Sequence, residues 1–251
     1  MLSKNKIKYI HSLELKKNRK EEQAFVAEGH KLVGDLLGHF HCRLLVALPE
    51  WLDAHKETKA DEVIEVNKDE LTRASLQKAP QEVLAVFSQP KYEMAPEAIE
   101  TSLCLALDDV QDPGNLGTII RMADWFGIEH IFCSQGTVDV YNPKTIQATM
   151  GALPRVKLHY CHLPQLITSL KADTPVYGTF LDGDNMYEKT LSSTGLIVMG
   201  NEGNGISKEV GKLINKRLYI PNFPAERETS ESLNVAVATA VICAEFRRRM
   251  L

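Results

Sequence analysis

Apolar residues in this chain come in short runs separated by polar, helix-compatible stretches. From residue 24 the runs are Ala24 to Ala27, Leu44 to Leu48, Val63 to Val66 and Val83 to Phe87, with helical stretches at His30 to Leu37 and Asp69 to Lys78. This pattern predicts a small α/β unit. Residues 88–102 hold two prolines and little periodicity, which suits a linker. Beyond it, apolar runs recur at Leu103 to Leu107, His130 to Cys133, Val176 to Leu181, Leu196 to Met199 and Leu218 to Ile220, mostly with helical stretches between them. Such alternation implies a mostly parallel sheet covered by helices on both faces, with ligands at the carboxyl ends of its strands. The expected domains are residues 1–90, a linker at 91–102, and 103–251.

Composition narrows the class. The chain has 251 residues, 44% hydrophobic and 25% charged, which excludes a disordered, collagen-like or coiled-coil protein. The net charge of −4 argues against a positive coat, yet residues 1–20 carry Lys4, Lys6, Lys8, Lys16, Lys17, Arg19 and Lys20 against Glu14 alone. That basic end reads either as a solvated face or as a phosphate-facing patch. The longest apolar stretch, Leu233 to Ala244, includes Asn234 and Thr239 and falls short of the ~18 residues a membrane span needs. The N-terminus has no apolar run of the secretory type, and five cysteines without CxxC spacing fit buried thiols, so a cytoplasmic location with no membrane contact is expected.

Three motifs follow predicted strands. The first is Asp108-Asp109-Val110-Gln111-Asp112-Pro113-Gly114-Asn115-Leu116-Gly117, leading into a helix through about Phe126. Leu116, Ile119, Ile120 and Ala123 share one face of that helix and Arg121 points away from it, so core packing does not account for Arg121. A turn feeding an N-capped helix with a surface arginine explains the same residues. The second is Gly200-Asn201-Glu202-Gly203-Asn204-Gly205, whose glycines let backbone amides approach a ligand, although in isolation a flexible turn is the favoured reading. It is neither GxGxxG nor a P-loop. The third runs from Ile220-Pro221 to Ser232-Leu233-Asn234-Val235-Ala236-Val237-Ala238 and opens a helix with ten of twelve residues apolar from Leu233 to Ala244. The pattern predicts a helix buried nearly all round, begun by Ser232 or Asn234, with Asn234 as a buried amide in need of partners.

These blocks in this order resemble the SpoU (TrmH) family of RNA ribose 2′-O-methyltransferases, of the SPOUT superfamily, over residues 103–251. Lys17 to Leu37 also resembles the start of the small RNA-binding domain that precedes the catalytic domain in rRNA-modifying members. The resemblance implies a small α/β RNA-binding domain, then a mostly parallel α/β sheet with a C-terminal trefoil knot, and S-adenosylmethionine as methyl donor. It implies a donor pocket lined by Gly200, Ile220 and Leu233, with Asn115, Arg121, Glu202, Ser232 and Asn234 on the family's active-site positions. It also implies a homodimer whose RNA substrate is rRNA ahead of tRNA. In such chemistry a ribose hydroxyl attacks the donor methyl. A free guanidinium, at a reference pKa of about 12.5–13.8, costs about 7.5–9 kcal/mol to deprotonate at pH 7, which favours charge stabilisation by arginine over base catalysis. One departure is the segment Asn222 to Glu231, longer than in the family and without its usual glycine.

Two other readings compete. A non-catalytic RNA-binding scaffold would not need Asn115, Arg121, Glu202, Ser232 and Asn234 together. A metal enzyme would need His39, His41 and Cys42, or His159, Cys161 and His162, but neither cluster has a recognised zinc spacing, so no metal is expected.

Overall fold

The computed structural model describes residues 2–224, 227 and 232–250. They fall into two compact units, one of residues 1–91 with 139–154, the other of 92–138 with 155–251. The stretch 139–154 thus lies within the second half of the sequence but packs with the first unit.

In the first unit, β1 (Ala24–Glu28), β2 (Cys42–Ala47), β3 (Glu62–Glu65) and β4 (Val83–Ser88) form a sheet in the order β1-β4-β2-β3. Strand β4 runs antiparallel to β1 and β2, and β2 is parallel to β3. Every residue of β1 is buried because helices His30–Leu36 and Pro143–Thr149 both pack against it. The basic N-terminus is part of this unit and not a tail. Ser3 caps helix Lys4–Ser12, whose Ile10 joins Leu2 and Leu13 in a core with Leu44, Val46 and Leu84. Arg19 is only 2% exposed: it donates to Asp139 Oδ2 at 2.7 Å and to the carbonyls of Leu13 and Glu14. Lys6 pairs with Glu62. Two of the seven cations of the basic end are therefore committed to the fold.

In the second unit, β5 (Leu103–Leu107), β6 (His130–Cys133), β7 (Lys157–Tyr160), β8 (Val176–Asn185), β9 (Gly195–Met199) and β10 (Lys216–Tyr219) form a sheet in the order β10-β8-β9-β5-β6-β7. Each neighbouring pair is parallel. β5 and β9 are buried on both faces, which is why they read as continuous apolar runs. β8 outlasts its apolar run. Its Gly178 faces Arg217, but the next residue of β10, Leu218, faces Asp184, so residues 179–183 leave the ladder.

The last helix, Val235–Arg248, departs from the all-round burial expected of it. It packs on helix Pro113–Trp125 and buries Thr239, Ile242, Cys243 and Phe246, but Val237 is 51% exposed, Val241 half-buried and Ala244 exposed. Apolar composition does not say which faces the neighbouring elements cover. At its end, Arg247 donates to the carbonyls of Phe126 and Gly127, while Arg248 and Arg249 clasp the buried Glu245. Hydrogen bonds from Arg248, then from Arg249, hold the Glu245 carboxyl at about 2.

On β6 and β7, His130 Nδ1 lies 3.0 Å from His159 Nε2, and the His159 ring, 3% exposed, stacks on Phe132. Burial first, then His130, pushes His159 down to about 4, and burial also lowers His130. The donor and acceptor roles of the two ring nitrogens are set by the tautomers of the pair. Because the folded value lies below the unfolded one near 6.5, the stability is complete above pH ~6.5 and is lost as pH falls toward 4, on the order of 3 kcal/mol in all. Thermal unfolding of His159→Phe should therefore be less sensitive to pH between 7 and 4.5 than that of the wild type. Parallel pH profiles would remove His159 from the acid response.

Candidate active site

The chain reverses its direction of strand addition between β5 and β9, and all six carboxyl ends lie along one edge, so a crevice opens where these two strands end. The first motif follows β5. Asp112 caps helix Pro113–Trp125 by accepting the Asn115 N–H at 2.7 Å, with Pro113 in the first turn where its missing N–H costs nothing. Capping turns the Asn115 side chain toward the loop after β9.

Hydrogen bonds join the three motifs there. Asn234 caps helix Val235–Arg248 with its Oδ1, which accepts from Ala236 N and Val237 N. Its Nδ2 must then donate, and does so to Asn115 Oδ1 at 2.9 Å. This directs Asn115 Nδ2 to Glu202 Oε1 at 3.0 Å, where a carboxylate can only accept. Glu202 also accepts from the backbone N–H groups of Gln111 and Asp112. Partial burial raises the Glu202 carboxyl, but the Asn115 amide and these N–H groups outweigh it and hold it below the usual carboxylate range. Asn234 was expected to be buried; it is exposed, and its partners come from the protein.

The Gly200 to Gly205 loop is held, not loose. Asn201 and Gly205 exchange backbone hydrogen bonds of 2.9 and 3.0 Å, and Asn201 Oδ1 accepts from Gly203 N and Asn204 N. Its Nδ2 donates to the Asp109 carbonyl at 2.7 Å, and buried Asp108 accepts from Ser207 N at 2.7 Å. A Cβ on Gly200 would lie 2.2 Å from the Gly205 carbonyl carbon and 2.3 Å from Ile206 N, so glycine is required by close backbone approach. Asp108 and Asn201 thus hold the loop in place, and polar residues just after strands β5 and β9 are the signal for this in the sequence.

Beside this loop lies a cavity of about 670 Å³, within the usual size of a small-ligand site. Gly200, Glu202, Ile220, Ser232 and Leu233 line it, together with residues 179–181 of the segment that leaves the β8 ladder. That last wall was not foreseen, since its sequence, Thr179-Phe180-Leu181, reads as the end of an apolar strand. Asn115 and Asn234 reach the cavity through Glu202. Arg121 stands apart: six residues beyond Asn115 on the same helix, it is about 9 Å further along the axis. It is exposed and, among the described residues, its side chain makes no hydrogen bond or ion pair. Of the long segment Asn222 to Glu231, residues 225, 226 and 228–231 lie outside the described residues.

A parallel sheet with a glycine-lined cavity at its carboxyl edge and a carboxylate–amide network on the rim is the arrangement by which α/β proteins bind small ligands. The chain belongs to the SpoU rRNA methylase family, whose model matches residues 102–244, and an MRM3-like substrate binding domain matches residues 4–85. It is 31% identical to the 23S rRNA (guanosine(2553)-2′-O)-methyltransferase RlmP of Bacillus subtilis over 246 residues, covering 96% of each chain. Among solved structures it is similar to a TrmH-family protein from Porphyromonas gingivalis (45% identity, TM-score 0.90, 99% of each chain). It is also similar to an AdoMet-bound rRNA methyltransferase from Sinorhizobium meliloti (32% identity, TM-score 0.86, covering 100% of this chain and 97% of the other).

Proposed function

We propose that this protein methylates a ribose 2′-hydroxyl of structured RNA, rRNA ahead of tRNA, with S-adenosylmethionine as donor. The observation that carries this reading is the convergence of Asn115, Glu202 and Asn234 on the rim of a cavity lined by Gly200, Ile220 and Leu233. The names of the rRNA-modifying relatives favour rRNA. The residues fit the donor, because glycine at 200 lets the Gly205 and Ile206 backbone close against it and the loop so formed walls a cavity of small-ligand size. When bound, the donor supplies an electrophilic methyl on a sulfonium centre.

Glu202, held below the usual carboxylate range with three hydrogen bonds to Gln111 N, Asp112 N and Asn115 Nδ2, fixes Asn115, which positions the nucleotide. Ser232 and Asn234 hold the loop and the target ribose. Arg121, with its side chain unencumbered, stabilises the charge that develops on the 2′-oxygen as the methyl leaves the donor sulfur, and the hydroxyl proton passes to a phosphate of the RNA. Residues 1–90 serve as the RNA-binding domain, with exposed Lys16, Lys17 and Lys20 as phosphate contacts, and 103–251 as the methyltransferase joined to it by 91–102. The register jump of β8 and the close approach of Gly183 to the Leu218 backbone support a trefoil knot. Five unpaired cysteines and the lack, among the described residues, of a helix able to cross a membrane favour the cytoplasm. Mapping 2′-O-methyl sites in RNA from cells with and without the protein tests the substrate: one rRNA position should lose its methyl, whereas loss only from tRNA would redirect the reading.

The homodimer forms, on this reading, over the open face of the last helix and its neighbour. Val237, Val241 and Ala244 make an apolar stripe, and Trp125, 83% exposed, lies one helical turn from Arg121. A patch of this kind marks a contact surface. Val237→Glu should sediment as a monomer and lose activity; a wild-type monomer that is fully active would overturn the dimer.

A further inference from the structure

On the reading that this site acts on RNA, we infer that Phe223 is a stacking platform for a nucleobase next to the target ribose. Phe223 is 91% exposed, the highest value of any large apolar side chain among the described residues. The backbone on either side is held in place. Tyr219 Oη donates to Asn222 Oδ1 at 2.9 Å, and Asn222 Nδ2 donates to the carbonyls of Pro224 and Arg227. Arg227 N donates to Pro224 O at 3.0 Å. Proline after Phe223 further restricts its backbone.

The two residues before it, Pro221 and Asn222, line the cavity, so Phe223 follows directly on the cavity wall while its own ring lies outside the lining. Folding gains nothing from an apolar ring left in water. A flat exposed ring on a fixed backbone suits the face of an unstacked base, which is how proteins engage single-stranded RNA. Selection of one nucleotide in an RNA favours loops and bulges, whose unstacked bases are free to lie on an aromatic ring.

Phe223→Ala, Phe223→Trp and Phe223→Leu, assayed with an rRNA transcript at saturating S-adenosylmethionine, test the assignment. Alanine should raise KM for RNA roughly 5- to 150-fold with kcat little changed. Tryptophan should restore KM to within a few fold and leucine should not. Affinity for S-adenosylmethionine and the sedimentation coefficient should match wild type. RNA affinity by filter binding, which needs no turnover, should weaken in parallel, so the stacking role stands or falls even if wild type transfers no methyl and the functional reading itself fails. Unchanged RNA affinity in Phe223→Ala, or full rescue by leucine, would overturn the proposal. So would weakened cofactor binding, which would place the ring over the donor, or dissociation into monomers, which would place it between two copies.

Discussion

Replacing Arg121 with alanine is expected to slow methyl transfer by roughly 10²- to 10³-fold, the usual consequence of removing one group that stabilises an oxyanion. Binding of S-adenosylmethionine should stay within a few fold of wild type. Arg121 lines no part of the cavity, is exposed and, among the described residues, has no partner for its side chain, so truncation breaks no packing and should leave unfolding within about 0.5 kcal/mol. A loss confined to turnover therefore reports chemistry. Lysine should restore only part of the rate, because it keeps the charge but not the planar fork. Normal turnover in Arg121→Ala, measured under single-turnover conditions with saturating RNA, would remove Arg121 from the mechanism.

The converse effect is expected at Gly200. A methyl group there meets Gly205 and Ile206 backbone at 2.2 and 2.3 Å, and these atoms belong to a loop already closed by the Asn201–Gly205 pair. Relief requires the loop to move, and with it the cavity wall. Overpacking of this kind costs ~1–3 kcal/mol, which corresponds to roughly 5- to 150-fold in affinity if it falls on the bound form. Gly203→Ala is the control: its Cβ would lie 3.6 Å from Asn201 Oδ1, an ordinary contact. Calorimetry with S-adenosylmethionine should find Gly200→Ala weakened and Gly203→Ala near wild type. Equal affinities for the two would remove the loop from the donor site.

Much of this site was legible in the chain because strands such as Leu103–Leu107 and Gly195–Met199 are buried on both faces, so that continuous apolar runs mark where the polar motifs begin. Strand Lys157–Tyr160 escaped notice because only His159 in it is buried, which is what an edge position with alternating exposure produces. The last helix misled for the opposite reason: small apolar residues such as Ala244 read as core whether or not a neighbour covers them. Arg19 looked like a surface cation since nothing local in the sequence announces Asp139, 120 residues away. The link between Asn234 and Asn115 is equally non-local, and only the capping of Val235–Arg248 by Asn234 fixes which end of its amide faces Asn115.

The central claim is that this cavity and rim deliver a methyl group to a ribose oxygen. Purified wild-type protein, S-adenosylmethionine labelled in its methyl group and an rRNA transcript, followed by digestion to nucleosides, test it most directly. Label should appear in a 2′-O-methylated nucleoside and resist alkaline cleavage at that linkage. Label on a base, or none transferred to RNA by a protein that binds both donor and transcript, would contradict it.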